Sequence, residues 1–438
     1  MRPQEIIQQV RMIALITAVV LLPYSITFCH FFILLFIVTS LMDGRWENKF
    51  SMLLTNPIAL LYIAFFVHHL IGILYSADQK NAWYDIEKKA FFFSLPVILV
   101  TSPPIKKEQT HRLFNWFIMS CIVGTLICLY YAFYNCSSAE GSFHINSITS
   151  SEFYSPSFSN RWKFFTYGHL ASGININPSY FSLYLVLCLV LLFYLNHDSF
   201  KNYSLTKKIS LVLLWVYVTV FVILLSSRIM TIALLGLNAF AAYTYASDGR
   251  TLKKIIFALL TFGILCILIY ANPISRYRSE EVIATPKTFE LEGLHTQSVS
   301  IRAALWWQGI KAFQSVNPLL GAGTGDVITV MQDAGNENHL SNVLDTANPH
   351  NQFLYTLIGL GGIGLLILLG CLFLPAYFAL QQRNYFYLAF AFIFALLCVT
   401  ESALEFQKGI ALYALFNSIF VFSYSNLEIP SLVKRVTL

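Results

Sequence analysis

The sequence predicts an all-α, polytopic integral membrane protein with about twelve transmembrane helices and a large, partly helical external loop. Of the 438 residues, 57% are hydrophobic and only 11% are charged, which excludes a water-soluble globular protein. Apolar runs recur along the whole chain. About 20 such residues in a helix cross a hydrocarbon core of roughly 30 Å.

The predicted spans lie at residues 10–24, 26–42, 55–75, 90–104, 112–134, 178–196, 207–225, 229–246, 254–271, 352–378, 384–402 and 408–425. Prolines at positions 23, 96, 103 and 104 interrupt the early spans. Because helix interiors tolerate proline poorly, a count of eleven also stays open. The basic segment Met1–Arg11 runs into two apolar stretches without a small-residue cleavage site. This predicts a retained anchor rather than a removed signal peptide.

The spans divide the chain into three segments. Residues 1–271 hold about nine spans and an external loop at 135–177, residues 272–351 form the large external loop, and residues 352–438 hold about three spans. More than half of the 28 lysines and arginines fall in short connections that are cytoplasmic if both termini are cytoplasmic. Three lysines do not fit this orientation, because they lie in a short external loop: Lys80, Lys88 and Lys89. The net charge of +6 therefore reflects mainly the basic residues that set the orientation of the protein in the membrane. Nucleic acid is not expected as a partner.

The eight cysteines show no C-x-x-C pair and no metal-ligand spacing, so apolar packing is their expected role. The chain also lacks a P-loop, a dinucleotide-binding glycine pattern and a strong internal repeat. These absences disfavour an energy-coupled pump.

The large external loop contains a predicted amphipathic helix that Ser298 or Ser300 caps and that ends before Asn317. On this helix Arg302 and Trp306 lie four residues apart and share a face. Trp306 can stack on a sugar ring or sit in the interfacial aromatic belt.

A glycine-rich turn follows, with glycines at 321, 323 and 325. Alternating glycines let backbone amides approach a ligand closely, so Gly321, Gly323 and Gly325 are candidate substrate contacts. A plain structural turn explains the same pattern.

Two further polar groups stand at membrane edges. Arg228 lies between two apolar spans with almost no loop between them, where it either binds a ligand or snorkels to the interface. His350 and Asn351 begin the next span after the large loop. An imidazole there can act as a proton acceptor, although a histidine or asparagine can also simply cap the helix.

Four motifs occur in order: SSR at 226–228, SIRAALWWQGIKAF at 300–313, NPLLGAGTGD at 317–326 and NPHNQFL at 348–354. Together they resemble the O-antigen ligase and O-antigen polymerase superfamily, from about residue 178 to residue 375. The resemblance implies an all-helical membrane glycosyltransferase of the GT-C type. Such enzymes use a polyprenyl-diphosphate-linked glycan as donor on the periplasmic face of the bacterial inner membrane.

The resemblance also implies site residues. The family's span-end arginine falls on Arg228, its loop arginine on Arg302 and its histidine on His350, while Arg161 or His169 can fill the place of an earlier loop arginine. The guanidinium groups of two arginines can bind phosphate oxygens through paired hydrogen bonds. A histidine can act as the base that takes the proton of the attacking hydroxyl. An alternative role for His350 also stays open, in which the protonated imidazole binds a phosphate of the donor.

Acidic residues give no sign of a metal site. No D-x-D-like cluster occurs in an external loop, and Glu280, Glu281, Glu290 and Glu292 read as solvated surface. We therefore expect a metal-independent, inverting reaction without a cofactor. Glu401 and Glu405 lie four apart near an outer span end, where they can share a face and orient Arg228 or an acceptor sugar.

The expected reaction moves a polysaccharide from undecaprenyl diphosphate to a lipid A-core sugar, as an O-antigen ligase does. The donor-site motifs do not distinguish this from polymerisation of lipid-linked repeats or from transfer to protein. A transporter or flippase for lipid-linked sugars would carry polar residues through the depth of its spans, and here the spans are nearly free of charge.

Overall fold

The computed structural model describes residues 3–42, 46–143, 160–245, 251–284, 298–337 and 348–423. These residues form α-helices and short 3₁₀ turns and contain no β-strand. By contacts they divide into two compact units, one made of Met1–Trp116 with Phe289–Leu438 and the other of Phe117–Thr288.

The helices, in chain order, are α1 (Pro3–Leu21), α2 (Ile26–Leu41), α3 (Trp46–Leu54), α4 (Pro57–Leu74), α5 (Gln79–Thr101), α6 (Lys107–Ser138), α7 (Tyr167–Ala171), α8 (Pro178–Asn196), α9 (Leu205–Leu225), α10 (Arg228–Tyr245), α11 (Thr251–Ala271), α12 (Pro273–Ala284), α13 (Ser298–Gln314), α14 (Val327–Glu337), α15 (Gln352–Gln381), α16 (Tyr385–Thr400) and α17 (Gln407–Phe422).

Each predicted span overlaps one of these helices, which confirms the all-helical architecture. Seven helices are long and apolar enough to cross a membrane: α1, α4, α6, α8, α9, α11 and α15. Four more are apolar but shorter: α2, α10, α16 and α17. The count of about twelve crossings and the orientation in the membrane remain predictions.

Helix α5 begins earlier than the predicted span at 90–104. Asp78 caps its first turn by accepting the amide of Asn81. The carboxylate of Asp326 accepts the amides of Ala77 and Asp78, each at 2.7 Å. These acceptors satisfy amides at the start of the helix, so α5 forms well ahead of its apolar part.

The core of the first unit contains a buried polar network among apolar helices. The hydroxyls of Tyr62 and Tyr413 both donate to the carbonyl of Cys371, at 3.3 and 3.2 Å. The amide of Asn417 donates to the Tyr62 hydroxyl and accepts from Tyr387, both at 2.6 Å. Paired in this way, polar groups bind helices α4, α15, α16 and α17 to one another.

Helix α15 is broken at Gly361, whose φ of +65° is open to glycine but not to most L-residues. The turn before α14 fills the break: Gly362 donates to the Pro318 carbonyl at 2.8 Å, and Gly323 donates to the Gly359 carbonyl at 2.9 Å. The His68 ring nitrogen Nε2 donates to the carbonyl of Leu360 at 3.0 Å. The backbone groups freed by the break are thus satisfied inside the protein, as membrane depth requires.

In the second unit, helix α8 is buried on almost every side, and α7, α9 and α10 pack against it. This explains why its sequence is apolar all round rather than along one stripe. An apolar cavity of about 520 Å³ opens among α8, α9, α10 and α11. Its walls suit hydrocarbon rather than a sugar.

Candidate active site

His350 stands at the entrance to helix α15 in an unusual backbone conformation. Its φ is +46°, a left-handed value that costs free energy in a residue with a Cβ. The Asn348 side chain accepts the His350 amide at 2.8 Å, and Asn351 caps α15 by accepting the amide of Leu354 at 3.0 Å. Neighbouring side chains therefore fix the imidazole at the helix start.

Arg302 lies in the first turns of α13, which packs along the first half of α15. Gly309 of α13 approaches Leu354 and Ile358 so closely that an added Cβ would meet the Leu354 side chain at 2.6 Å. This close helix packing carries Arg302 to the end of α15 where His350 lies.

Glu401 contacts both Arg302 and His350. It follows the last residue of α16, and its Oε1 accepts from the guanidinium of Arg302 at 2.8 Å. Its Oε2 accepts from Nδ1 of His350 at 3.1 Å. The Glu401 side chain is 8% exposed, whereas those of Arg302 and His350 are each 29% exposed. A buried carboxylate thus holds two partly exposed side chains next to each other.

This contact sets the hydrogen position on the imidazole. An ionised carboxylate only accepts hydrogen bonds, so Nδ1 of His350 carries the hydrogen that Glu401 receives. In neutral imidazole the other nitrogen, Nε2, then holds a lone pair. Within the described part of the chain Nε2 has no hydrogen-bond partner, so the ring can accept a proton there.

A second group of contacts fixes the turn that carries Glu401. The Ser402 hydroxyl donates to Asn348 at 2.7 Å, and the Gln352 side chain accepts the Leu404 amide at 2.7 Å. Gln352 also donates to Glu405 at 3.0 Å. The segment at 348–352 and the segment at 401–405 are therefore bound to each other at several points.

Glu405 does not share a face with Glu401, contrary to the expectation from their spacing. Residues 401–405 form a turn with a 3₁₀ helix at Ala403–Glu405, so helical spacing does not apply. Glu405 contacts Lys89 of α5 at 2.5 Å. Burial raises the pKa of the Glu405 carboxyl, and the Lys89 ammonium opposes that rise. The arginine that Glu401 contacts is Arg302.

The glycine-rich turn does not offer amides to a ligand. The amides of residues 321–326 all donate within the protein, for example Ala322 to the Ile358 carbonyl at 2.8 Å and Gly325 to the Ser76 hydroxyl at 2.8 Å. A Cβ at Gly321 would meet the Gly359 backbone at 2.5 Å, and one at Gly325 would meet the Asp78 carbonyl oxygen at 2.2 Å. Close packing explains these glycines, which corrects the interpretation of Gly321, Gly323 and Gly325 as substrate contacts.

Trp306 lies one helical turn after Arg302. Its indole Nε1 is buried and has no hydrogen-bond partner among the residues described. Buried donors of this kind are uncommon and call for an acceptor. An oxygen of a sugar or phosphate would satisfy it.

In the second unit, Arg228 begins α10 two residues after Ser226, which has a left-handed φ of +51°. Its Nε donates to the carbonyl of Arg278 at 2.9 Å. Arg278, on α12, is 8% exposed and its guanidinium stacks over the Tyr167 ring at 4.1 Å. Sequence reasoning overlooked Arg278 because nothing in its local pattern separates it from a surface arginine.

The two alternative loop residues lie in other surroundings of this unit. Arg161 donates to the carbonyl of Cys136 at 3.3 Å from a 3₁₀ helix at Arg161–Phe165. His169 lies edge-on to Phe164, and burial with the nearby Lys163 lowers its pKa. His169 is therefore neutral at pH 7.

Residues 209–369 match a family model described as O-antigen ligase. The match covers a little over a third of the chain and confirms the resemblance to the O-antigen ligase superfamily. No curated protein matches the chain.

The O-antigen ligase match contains Arg228, Arg278, Arg302 and His350. Glu401, which binds two of them, lies beyond its end, so the structure adds a residue that the matched segment does not carry.

Among the described residues no group of three or more histidine, cysteine, aspartate or glutamate side chains could hold a metal ion. Glu290 and Glu292 lie outside the described residues. Metal independence stays a prediction.

Proposed function

We propose that this protein is an O-antigen ligase-like glycosyltransferase. It moves a polysaccharide from undecaprenyl diphosphate to a sugar hydroxyl of lipid A-core at the periplasmic face of the bacterial inner membrane. The observation that carries the proposal is the contact of one buried carboxylate, Glu401, with both His350 and Arg302 inside a chain whose residues 209–369 match O-antigen ligase.

In the proposed reaction His350 is the general base. Its Nε2 takes the proton of the acceptor hydroxyl while that oxygen attacks the anomeric carbon of the donor sugar. Glu401 keeps the imidazole in the tautomer that leaves Nε2 unprotonated and stabilises the imidazolium that forms. A carboxylate beside the ring also disfavours an anion there, which supports the base role over a phosphate-ligand role.

The bond between the anomeric carbon and the phosphate oxygen breaks as the new glycosidic bond forms. The electron pair leaves with undecaprenyl diphosphate, and Arg302 and Arg228 stabilise its charge. Arg278 joins them as a further candidate. One displacement at the anomeric carbon inverts its configuration.

We propose that these arginines replace a divalent metal. Transfer by the purified protein should then persist in excess chelator. A rate that falls with chelator and returns with magnesium would contradict this.

Repeat-unit polymerisation, with a second lipid-linked repeat as acceptor, is the closest alternative because it needs the same donor chemistry. A flippase for lipid-linked sugars is the alternative from another class of protein. It would need polar residues through the depth of the spans, whereas the charged contacts described here lie around Glu401.

The test replaces the native gene with a His350→Ala variant and compares the glycolipids of the cell. A ligase defect leaves lipid-linked polymer and bare lipid A-core. Single repeats on core would instead indicate a polymerase, and donor held at the cytoplasmic face would indicate a flippase. Lys80→Met, at an exposed position, is the matched control. A normal profile for His350→Ala would refute the catalytic assignment.

A further inference from the structure

Glu405 forms a buried ion pair with Lys89. Lys89 and Glu405 are 3% and 8% exposed, and their charged atoms are 2.5 Å apart. Asp85 lies 3.9 Å from Lys89 and also contacts Lys88. The group contains two cations and two anions, so its charge balances only while each member is present.

Little space for water lies beside these partners. The cavity beside Lys89, Asp85 and Glu405 has a volume of about 10 Å³, room for no more than one water molecule. A buried charge without partners is costly, so Glu405 depends on Lys89 to remain in position.

Glu405 connects this ion pair to the candidate active site through one side chain. Gln352, which is fully buried, donates to Glu405 at 3.0 Å and accepts the Leu404 amide at 2.7 Å. Gln352 follows His350 by two residues, and Leu404 follows Glu401 by three. The same amide thus holds both segments at a fixed separation.

We propose that Lys89 is a positioning residue, which acts through Glu405 and Gln352 to hold Glu401 against His350 and Arg302. This inference rests on the proposed function. In the part of the chain that the structure describes, Lys89 makes no hydrogen bond or ion pair with Arg302, His350 or Glu401, so its effect on them is indirect.

The opposing interpretation is that the ion pair only stabilises the fold. Replacing a buried pair by neutral groups often leaves stability unchanged, whereas removing one partner is strongly destabilising. Two double variants separate the interpretations, since both remove the unpaired charge and only one keeps the contact with Gln352.

The experiment compares Lys89→Met, Lys89→Met with Glu405→Gln, and Lys89→Met with Glu405→Leu in the full-length protein. Glutamine at 405 keeps an oxygen that can accept from Gln352, and leucine does not. Thermal unfolding in detergent measures the fold, and the rate of transfer from lipid-linked donor measures the site. Lys80→Met is the control on the same helix.

Lys89→Met alone should lower the turnover number at least about tenfold, because it leaves Glu405 unpaired. Both double variants should unfold near the wild-type temperature. The variant with glutamine should recover most of the turnover. The variant with leucine should remain at least about tenfold slow, because Gln352 then donates only to Thr356 and no longer contacts residue 405. Equal turnover in two well-folded double variants would overturn the proposal.

A second measurement does not depend on the reaction. Hydrogen exchange at the backbone amides of Leu404 and His350 reports whether the two segments stay bound to each other, since these amides donate to Gln352 and Asn348. Exchange should be faster in the leucine double variant than in the glutamine one; equal exchange in both would also overturn the proposal. If His350→Ala retains activity while the exchange rates differ as expected, the proposed function fails and the positioning role stands.

Discussion

The two oxygens of the Glu401 carboxylate accept from two different donors. One oxygen accepts from Arg302 and the other accepts from His350. This one-to-one pairing fixes the direction of both the Arg302 fork and the His350 ring. A side chain with a single acceptor oxygen cannot reproduce it. Glutamine is the informative replacement, because it keeps the size of glutamate and loses one acceptor together with the charge.

Glu401→Gln should lower the rate of glycosyl transfer roughly 10²-fold, the scale on which a general base contributes. The protein should insert and unfold as the wild type does, because the amide still bonds to one neighbour. Rates measured with purified protein and lipid-linked donor test this. Glu87→Gln makes the same chemical change at an exposed position and serves as the control. A Glu401→Gln rate within twofold of the control would show that the carboxylate has no part in the reaction.

His350, Arg302 and Arg228 were selected through the resemblance of their motifs to the family, since position alone left snorkelling of Arg228 and helix capping by His350 open. Glu401 was selected as an acidic candidate with the wrong partner. Lys89 was predicted to lie in a short external loop, because it falls between the apolar spans at 55–75 and 90–104. Its partner Glu405 lies 316 residues further along the chain, and no local pattern connects them.

The break in α15 could not be predicted from the sequence. Residues 352–378 read as one continuous span, and glycines inside an apolar run do not interrupt that pattern. Only the hydrogen bonds from Gly362 and Gly323 show that another segment enters the helix at Gly361. Likewise, residues 331–337 are largely polar in sequence and form the end of α14.

Gly361→Ala should destabilise the protein by about 1–3 kcal/mol, because alanine disfavours a φ of +65°. Its Cβ would also lie 2.3 Å from the carbonyl carbon of Leu319. Thermal unfolding in detergent should show a lower midpoint. At Gly362 the nearest atom to an added Cβ is the Pro318 oxygen at 3.4 Å, so Gly362→Ala is the matched control. Equal midpoints for the two variants would contradict the strained turn.

Composition and periodicity predicted the helical membrane architecture, and every predicted span overlaps a helix. The ends of the helices were harder to place. At α5 the capping residue Asp78 is itself held by Asp326, which lies 248 positions away and accepts the Asp78 amide. Long-range capping of this kind leaves no mark on the local sequence, whereas an apolar run does.

The predicted orientation places the start of α5 outside the cell membrane and the turn after α8 inside it. A membrane-impermeant maleimide should therefore label Lys80→Cys in intact cells and Lys201→Cys only after the inner membrane is opened. Both positions are exposed, and a background without native cysteines removes competing reactions. Labelling of Lys201→Cys in intact cells, with Lys80→Cys protected, would reverse the topology.

The residues around Glu401 are synthesised in the order of their residue numbers. Arg302 leaves the ribosome 99 residues before Glu401, and His350 leaves it 51 residues before. A nascent chain that already contains Arg302 and His350 still lacks the carboxylate that contacts both. Under the proposed function, a chain that is interrupted before the end of α16 would therefore be inert toward the lipid-linked donor.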